Sequence, residues 1–69
     1  MDRIRLKITE HAKTRMAELA ITKELIKLAI TQGSKIKQTD GYLASYTYLK
    51  VAYKKIGKDL YKIKTIFID

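Results

Sequence analysis

Arg3-Ile4-Arg5-Leu6-Lys7-Ile8-Thr9-Glu10-His11-Ala12-Lys13-Thr14-Arg15-Met16 changes its period half-way along. Up to Ile8 the chain alternates, with Arg3, Arg5 and Lys7 on one side and Ile4, Leu6 and Ile8 on the other, as in a half-buried strand. From Thr9 onward Ala12, Arg15, Met16 and Leu19 recur at helical spacing. Thr9 is a good N-cap, so the spacing predicts a short helix over residues 10–19.

A second helix follows. Thr22 is its N-cap, and Ile21 before it and Ile26 after it are placed to form a hydrophobic staple. Leu25, Ile26, Ala29 and Ile30 make the buried stripe, and Gly33 suits a left-handed stop. Beyond Gly33 the period returns to two. Lys35 to Gln38 reads as extended, and Asp40-Gly41 as a turn. Tyr42, Ala44 and Tyr46 alternate with Leu43 and Ser45, and Leu49, Val51 and Tyr53 with Lys50, Ala52 and Lys54. Gly57-Lys58-Asp59 is a further turn before a last strand over residues 60–68. In that strand Tyr61, Ile63, Thr65 and Phe67 are predicted to share one face.

The order predicts one α+β domain spanning residues 1–69, β-α-α-β-β-β, with two N-terminal helices on one face of an antiparallel sheet. The other face would be open. Lys50, Lys54, Lys62 and Lys64 are expected to collect there, with tyrosines between them.

At 69 residues without cysteine, a single small core must hold the domain unaided. With 46% apolar residues and no proline, the chain is suited to regular elements joined by short turns. Lacking cysteine, it has no thiolate metal site and no cysteine nucleophile, and its composition fits a reducing cytoplasm. No apolar run exceeds three residues, against the roughly 20 that a membrane span needs. Fifteen Lys and Arg against seven acids give a formal charge of +8, a field that attracts polyanions. Nucleic acid is the partner expected on charge; the competing reading is a lysine-rich surface that serves solubility.

His11 is the only histidine, and Arg15 lies one helical turn further on the same side. RNA cleavage suits so sparse a set, because the substrate brings its own 2′-hydroxyl nucleophile and needs only a base, an acid and cations. No cofactor or metal is called for. In that scheme His11 is the base or acid, Arg15 grips phosphate, and Lys50, Lys62 or Lys64 adds charge from the sheet. Each residue also has a plainer reading. His11 can be a boundary residue, Arg15 the partner of a carboxylate such as Glu18, and the tyrosines, Tyr46 and Tyr53 among them, sheet packing rather than base-stacking surfaces. Ser34 and Ser45 have no second histidine to activate them, and Gly33, Gly41 and Gly57 form no phosphate loop.

His11-Ala12-Lys13-Thr14-Arg15-Met16, followed by Leu19-Ala20-Ile21-Thr22 and a second amphipathic helix, resembles a family of small bacterial and archaeal domains. Its members open with His-Ala-x-x-Arg-Met and end in a hairpin closing on a Thr-x-Tyr-like strand. That family is similar to the RelE/ParE-type toxins, the BECR fold of small ribonucleases and translation blockers. The resemblance implies site roles for His11, Arg15 and Thr65. Ala20 departs from the family's glycine, Phe67 from its tyrosine, and Lys50 stands near a position often held by a second histidine.

Three expectations follow. The first is a toxin-like, metal-independent endoribonuclease using His11, Arg15, Lys50 and Thr65, with Lys54, Lys62, Lys64, Tyr46 and Tyr53 binding RNA and an acidic antitoxin-like protein restraining it. The second is a non-catalytic domain that binds RNA or protein through the lysine-bearing sheet. The third is an interaction module in which His11 and Arg15 only brace helix against sheet.

Overall fold

The computed structural model describes residues 4–68. β1 (Arg5–Ile8) leads into α1 (Glu10–Leu19) and α2 (Lys23–Gln32). Four strands follow: β2 (Ser34–Gln38), β3 (Gly41–Tyr46), β4 (Leu49–Gly57) and β5 (Leu60–Ile68). They form one five-stranded sheet in the order β1-β5-β4-β3-β2. The architecture is α+β, with two corrections to the expected layout. The extended segment after Gly33 is a strand in its own right, so four strands rather than three follow the helices. The sheet is also mixed, because β1 runs parallel to β5 while the other pairs are antiparallel. Alternation reveals that a segment is a strand but not which neighbour it takes or in which direction.

Both helices start as their caps dictate. The Thr9 hydroxyl accepts a hydrogen bond from the Ala12 amide at 3.2 Å and donates to the Ile63 carbonyl at 2.9 Å. One side chain thus satisfies a free amide of the first turn and ties α1 to β5. The Thr22 hydroxyl accepts from the Leu25 amide at 3.3 Å, and the staple residues Ile21 and Ile26 are both buried.

The helix ends reverse the expectation for Gly33. Gly33 is extended, with φ −77° and ψ 168°, and the left-handed stop falls instead on Ala20, with φ 57° and ψ 43°. An L-residue there costs roughly 1 kcal/mol that glycine would avoid. Gly33 serves another purpose: a Cβ on it would lie 2.5 Å from the Ser45 carbonyl oxygen and 2.6 Å from that of Ala29. Only glycine lets the chain turn this closely from α2 into β2.

α1 packs on β5, and α2 on β3 and β4. Beneath them lie Ala44, Leu49, Val51, Tyr53, Ile63 and Ile66 from the sheet, joined by Ala12, Ile26, Ala29 and Ile30 from the helices. Ile63 and Ile66 are both fully buried although three residues apart, which an unbroken strand forbids. A bulge resolves this: the register runs from Ala52↔Thr65 to Tyr53↔Ile63, leaving Lys64 as the extra residue. Tyr61 and Ile63 therefore share the helix-covered face with Ile66, while Thr65 and Phe67 turn to the other, not to the face of Tyr61 and Ile63 as alternation predicts.

Candidate nucleic-acid interface

The sheet face turned away from the helices carries the charge. In β4, Lys50, Ala52 and Lys54 are the outward partners of the buried Leu49, Val51 and Tyr53. In β1, Leu6 and Ile8 pack on the core, so Arg5 and Lys7 point outward. The register then aligns Lys7 with Lys62, and Lys62 with Lys54. Three ammonium side chains thus stand in one row across three adjacent strands, roughly 4.8 Å apart at the backbone. Like charges directly opposite one another destabilise a sheet. Among the described residues, no carboxylate is paired with Lys7 or Lys62. Lys50 and Phe67 stand opposite one another nearer the far end of the face, and Thr65 is opposite Ala52.

The row ends at an acid. Asp40, in the turn between β2 and β3, takes Lys54 Nζ on Oδ1 at 2.9 Å and Lys64 Nζ on Oδ2 at 3.3 Å. Lys64 Nζ also donates to the Asp40 carbonyl oxygen. Hydrogen bonds from Lys54 and then Lys64, together with their charge, hold the Asp40 carboxyl below its ordinary 3.8. The turn can deliver Asp40 here because the next residue is Gly41. Its φ is 107°, and a Cβ on it would lie 2.3 Å from the Tyr53 carbonyl oxygen. A shallow depression lined by Lys37, Gln38, Thr39, Asp40 and Lys64 opens beside the carboxylate.

His11 and Arg15 belong to the other side of the sheet. Arg15 Nε donates to the Ile66 carbonyl at 3.1 Å, and Nη1 pairs with Glu18 Oε1 at 3.0 Å. The guanidinium thus bridges α1 and β5 and makes the expected pairing with Glu18. His11 is exposed in the first turn of α1. Lys50 and Thr65 project from the open face, whereas α1 packs against β5 on the covered one.

Of the predicted RNA-contacting residues, the structure gathers Lys54, Lys62 and Lys64 on one surface and turns Tyr46 and Tyr53 to the other. Tyr46 packs on the core. Tyr53 is 5% exposed, stacked on Tyr42 with ring centroids 5.9 Å apart and met edge-on by Tyr61 at 5.5 Å. Its ring has no face left for a base. The open face offers Phe67 instead, with Leu43 and the exposed Ile36 towards the β2 edge. Arg5 and Lys7 were visible in the opening alternation, but not as neighbours of Lys62, because nothing local announces the β1–β5 pairing. The bulge at Lys64 turns Phe67 to the face opposite the one that plain alternation from Ile63 gives it.

Among the described residues no three His, Cys, Asp or Glu side chains are grouped to hold a metal ion. No described helix is long and apolar enough to cross a membrane. No family model, curated protein or solved structure matches this chain.

Proposed function

We propose that this protein binds single-stranded RNA through the open face of its sheet without cleaving it. The observation that carries the reading is the Lys7–Lys62–Lys54 row, a like-charge alignment that works against the fold and is relieved by a polyanion. The face carries Phe67, Leu43 and Ile36 among its cations, apolar groups against which unpaired bases can pack. It presents no helix that could enter a duplex groove. RNA rather than DNA is favoured by the resemblance of the His11–Met16 segment to ribonuclease-like domains. The nuclease reading asks His11 and Arg15, on a helix that packs against the covered face, to act with Lys50 and Thr65, which project from the open one. It also needs a guanidinium that Ile66 and Glu18 already engage.

The test is fluorescence anisotropy with a labelled single-stranded RNA in chelator, followed by gel analysis of the same RNA. Wild type is expected to bind with affinity that falls steeply with salt and to leave the RNA intact. Lys7→Met with Lys62→Met removes two phosphate contacts. The double variant is expected to bind about tenfold more weakly near 50 mM salt, with a salt slope shallower by about 1.4. Lys23→Met, on the helix side, is the control. Wild-type affinity in the double variant would overturn the assignment of this face. Chelator-resistant cleavage lost in His11→Ala would restore the enzyme.

A further inference from the structure

We propose that Lys54 and Lys64 form a binding site for one backbone phosphate of the RNA, and that in the free protein Asp40 occupies this site as an internal stand-in. The inference rests on the RNA-binding reading above and adds a particular subsite and its regulation.

Two lysines from different strands converge on one carboxylate, each taking a different oxygen, at 2.9 Å and 3.3 Å. A phosphodiester offers the same recognition features: one negative charge shared by two non-bridging oxygens. The exchange is therefore nearly even in charge, with Asp40 leaving as the phosphate arrives. Asp40 is free to leave. Its side chain is 61% exposed on a turn, so the carboxylate passes into water without losing a buried environment. Lys64 stays behind, because its ammonium is also held by the Asp40 backbone carbonyl, which does not depend on the carboxylate. Lys54 is the last member of the cationic row, so a strand lying along Lys7 and Lys62 reaches this pair next. The depression beside Asp40 adds Lys37, Gln38 and Thr39 as neighbouring polar groups.

Asp40 thus neutralises Lys54 and Lys64, whereas among the described residues no carboxylate is paired with Lys7 or Lys62. A ligand without closely spaced anionic oxygens gains nothing by displacing Asp40, so the carboxylate filters partners as well as stabilising the empty face.

The experiment compares wild type, Asp40→Asn, Lys54→Met with Lys64→Met, and the triple variant, using the labelled RNA of the preceding assay and thermal melts to verify folding. Asp40→Asn keeps the shape and removes the charge. It is expected to tighten binding on the order of five- to tenfold near 50 mM salt and to steepen the salt slope by about 0.7. Raising salt to about 200 mM should shrink that gain about two- to threefold. In the double-lysine background Asp40→Asn should change nothing. Inorganic phosphate, added as competitor, should weaken RNA binding to Asp40→Asn more than to wild type. RNA binding that is unchanged or weaker in Asp40→Asn would overturn the stand-in while leaving the RNA-binding face intact. An equal gain in the double-lysine background would overturn the subsite. Failure of wild type and Asp40→Asn alike to bind RNA would remove both this proposal and the reading beneath it.

Discussion

Val51 and Lys50 are neighbours in β4, yet Val51 is sealed beneath the helices and Lys50 is turned to the opposite face. The same contrast runs through β5, where Ile63 and Ile66 are fully buried and Lys62 and Phe67 are exposed. One face of the sheet is apolar, tightly packed and free of buried polar or charged side chains among the described residues. The other carries cations at strand spacing. Stability and recognition are thereby assigned to alternate residues of the same strands. In a chain of 69 residues there is little else from which to build a binding surface. The contrast makes a strong claim: substitutions on the two faces should fail in different ways.

The largest effect tests that claim within one strand. Ile63→Ala removes a fully buried side chain from the cluster beneath α1 and is expected to cost about 2–5 kcal/mol. For a domain this small each kcal/mol is worth roughly 4–8 °C in Tm, so the variant should melt at least about 8 °C lower. Thr65→Ala, two residues away on the open face, should stay within about 0.5 kcal/mol of wild type. Urea titrations of both variants measure the difference. Equal losses would mean that the open face is packed against something and is not a free surface.

A smaller effect tests the seam between helix and sheet. Arg15→Ala loses the hydrogen bond to the Ile66 carbonyl and the exposed pair with Glu18, whose carboxylate side is 56% accessible. The pair contributes little by itself, so the expected loss of about 1 kcal/mol comes mainly from the hydrogen bond across to β5. Arg15→Lys should not recover it, because the bond is made by Nε, which lysine lacks. Wild-type stability in Arg15→Ala would end the brace role and free the guanidinium for a ligand.

Much of this layout was legible in local pattern. Thr9 and Thr22 announced both helix starts, Ile21 and Ile26 the staple, and the alternation of residues 49–54 separated the faces correctly. What stayed hidden depends on distant partners. The parallel pairing of β1 with β5 joins residues more than fifty positions apart, and without it Arg5 and Lys7 cannot be placed beside Lys62. The bulge at Lys64 has no composition signal of its own, since Ile63-Lys64-Thr65-Ile66 also reads as an ordinary strand. One unseen extra residue exchanged the faces of Thr65 and Phe67 and gave the open face its aromatic side chain. The tyrosines misled for a related reason: aromatic residues favour strands whichever face they join, and burial of Tyr53 came from its alignment with Leu49 and Val51. Asp40 was legible as a turn residue, whereas its bridging of two lysines required the third dimension.

The smallest effect concerns protons, and it has opposite causes on the two faces. On the open face, attraction to Lys54 and Lys64 holds the Asp40 carboxyl below 3.8, so its contribution is present above that value and is lost as pH falls through the lowered one. On the covered face, burial pushes the Tyr53 phenol above its ordinary 10, and the neighbouring Tyr61 and Tyr42 phenols add to the rise. The unfolded chain releases the Tyr53 proton near pH 10, while the folded chain keeps it to a higher pH. The stability contributed by the neutral phenol is therefore complete below about pH 10 and is lost as pH rises through the raised folded value. Tyr53→Phe has no proton to lose, so its urea midpoint should fall less steeply than wild type above about pH 10 and run parallel to it near neutrality. Identical alkaline slopes would mean that the phenol is solvated in the folded state, and the division between a dry face and a charged one would then fail at Tyr53.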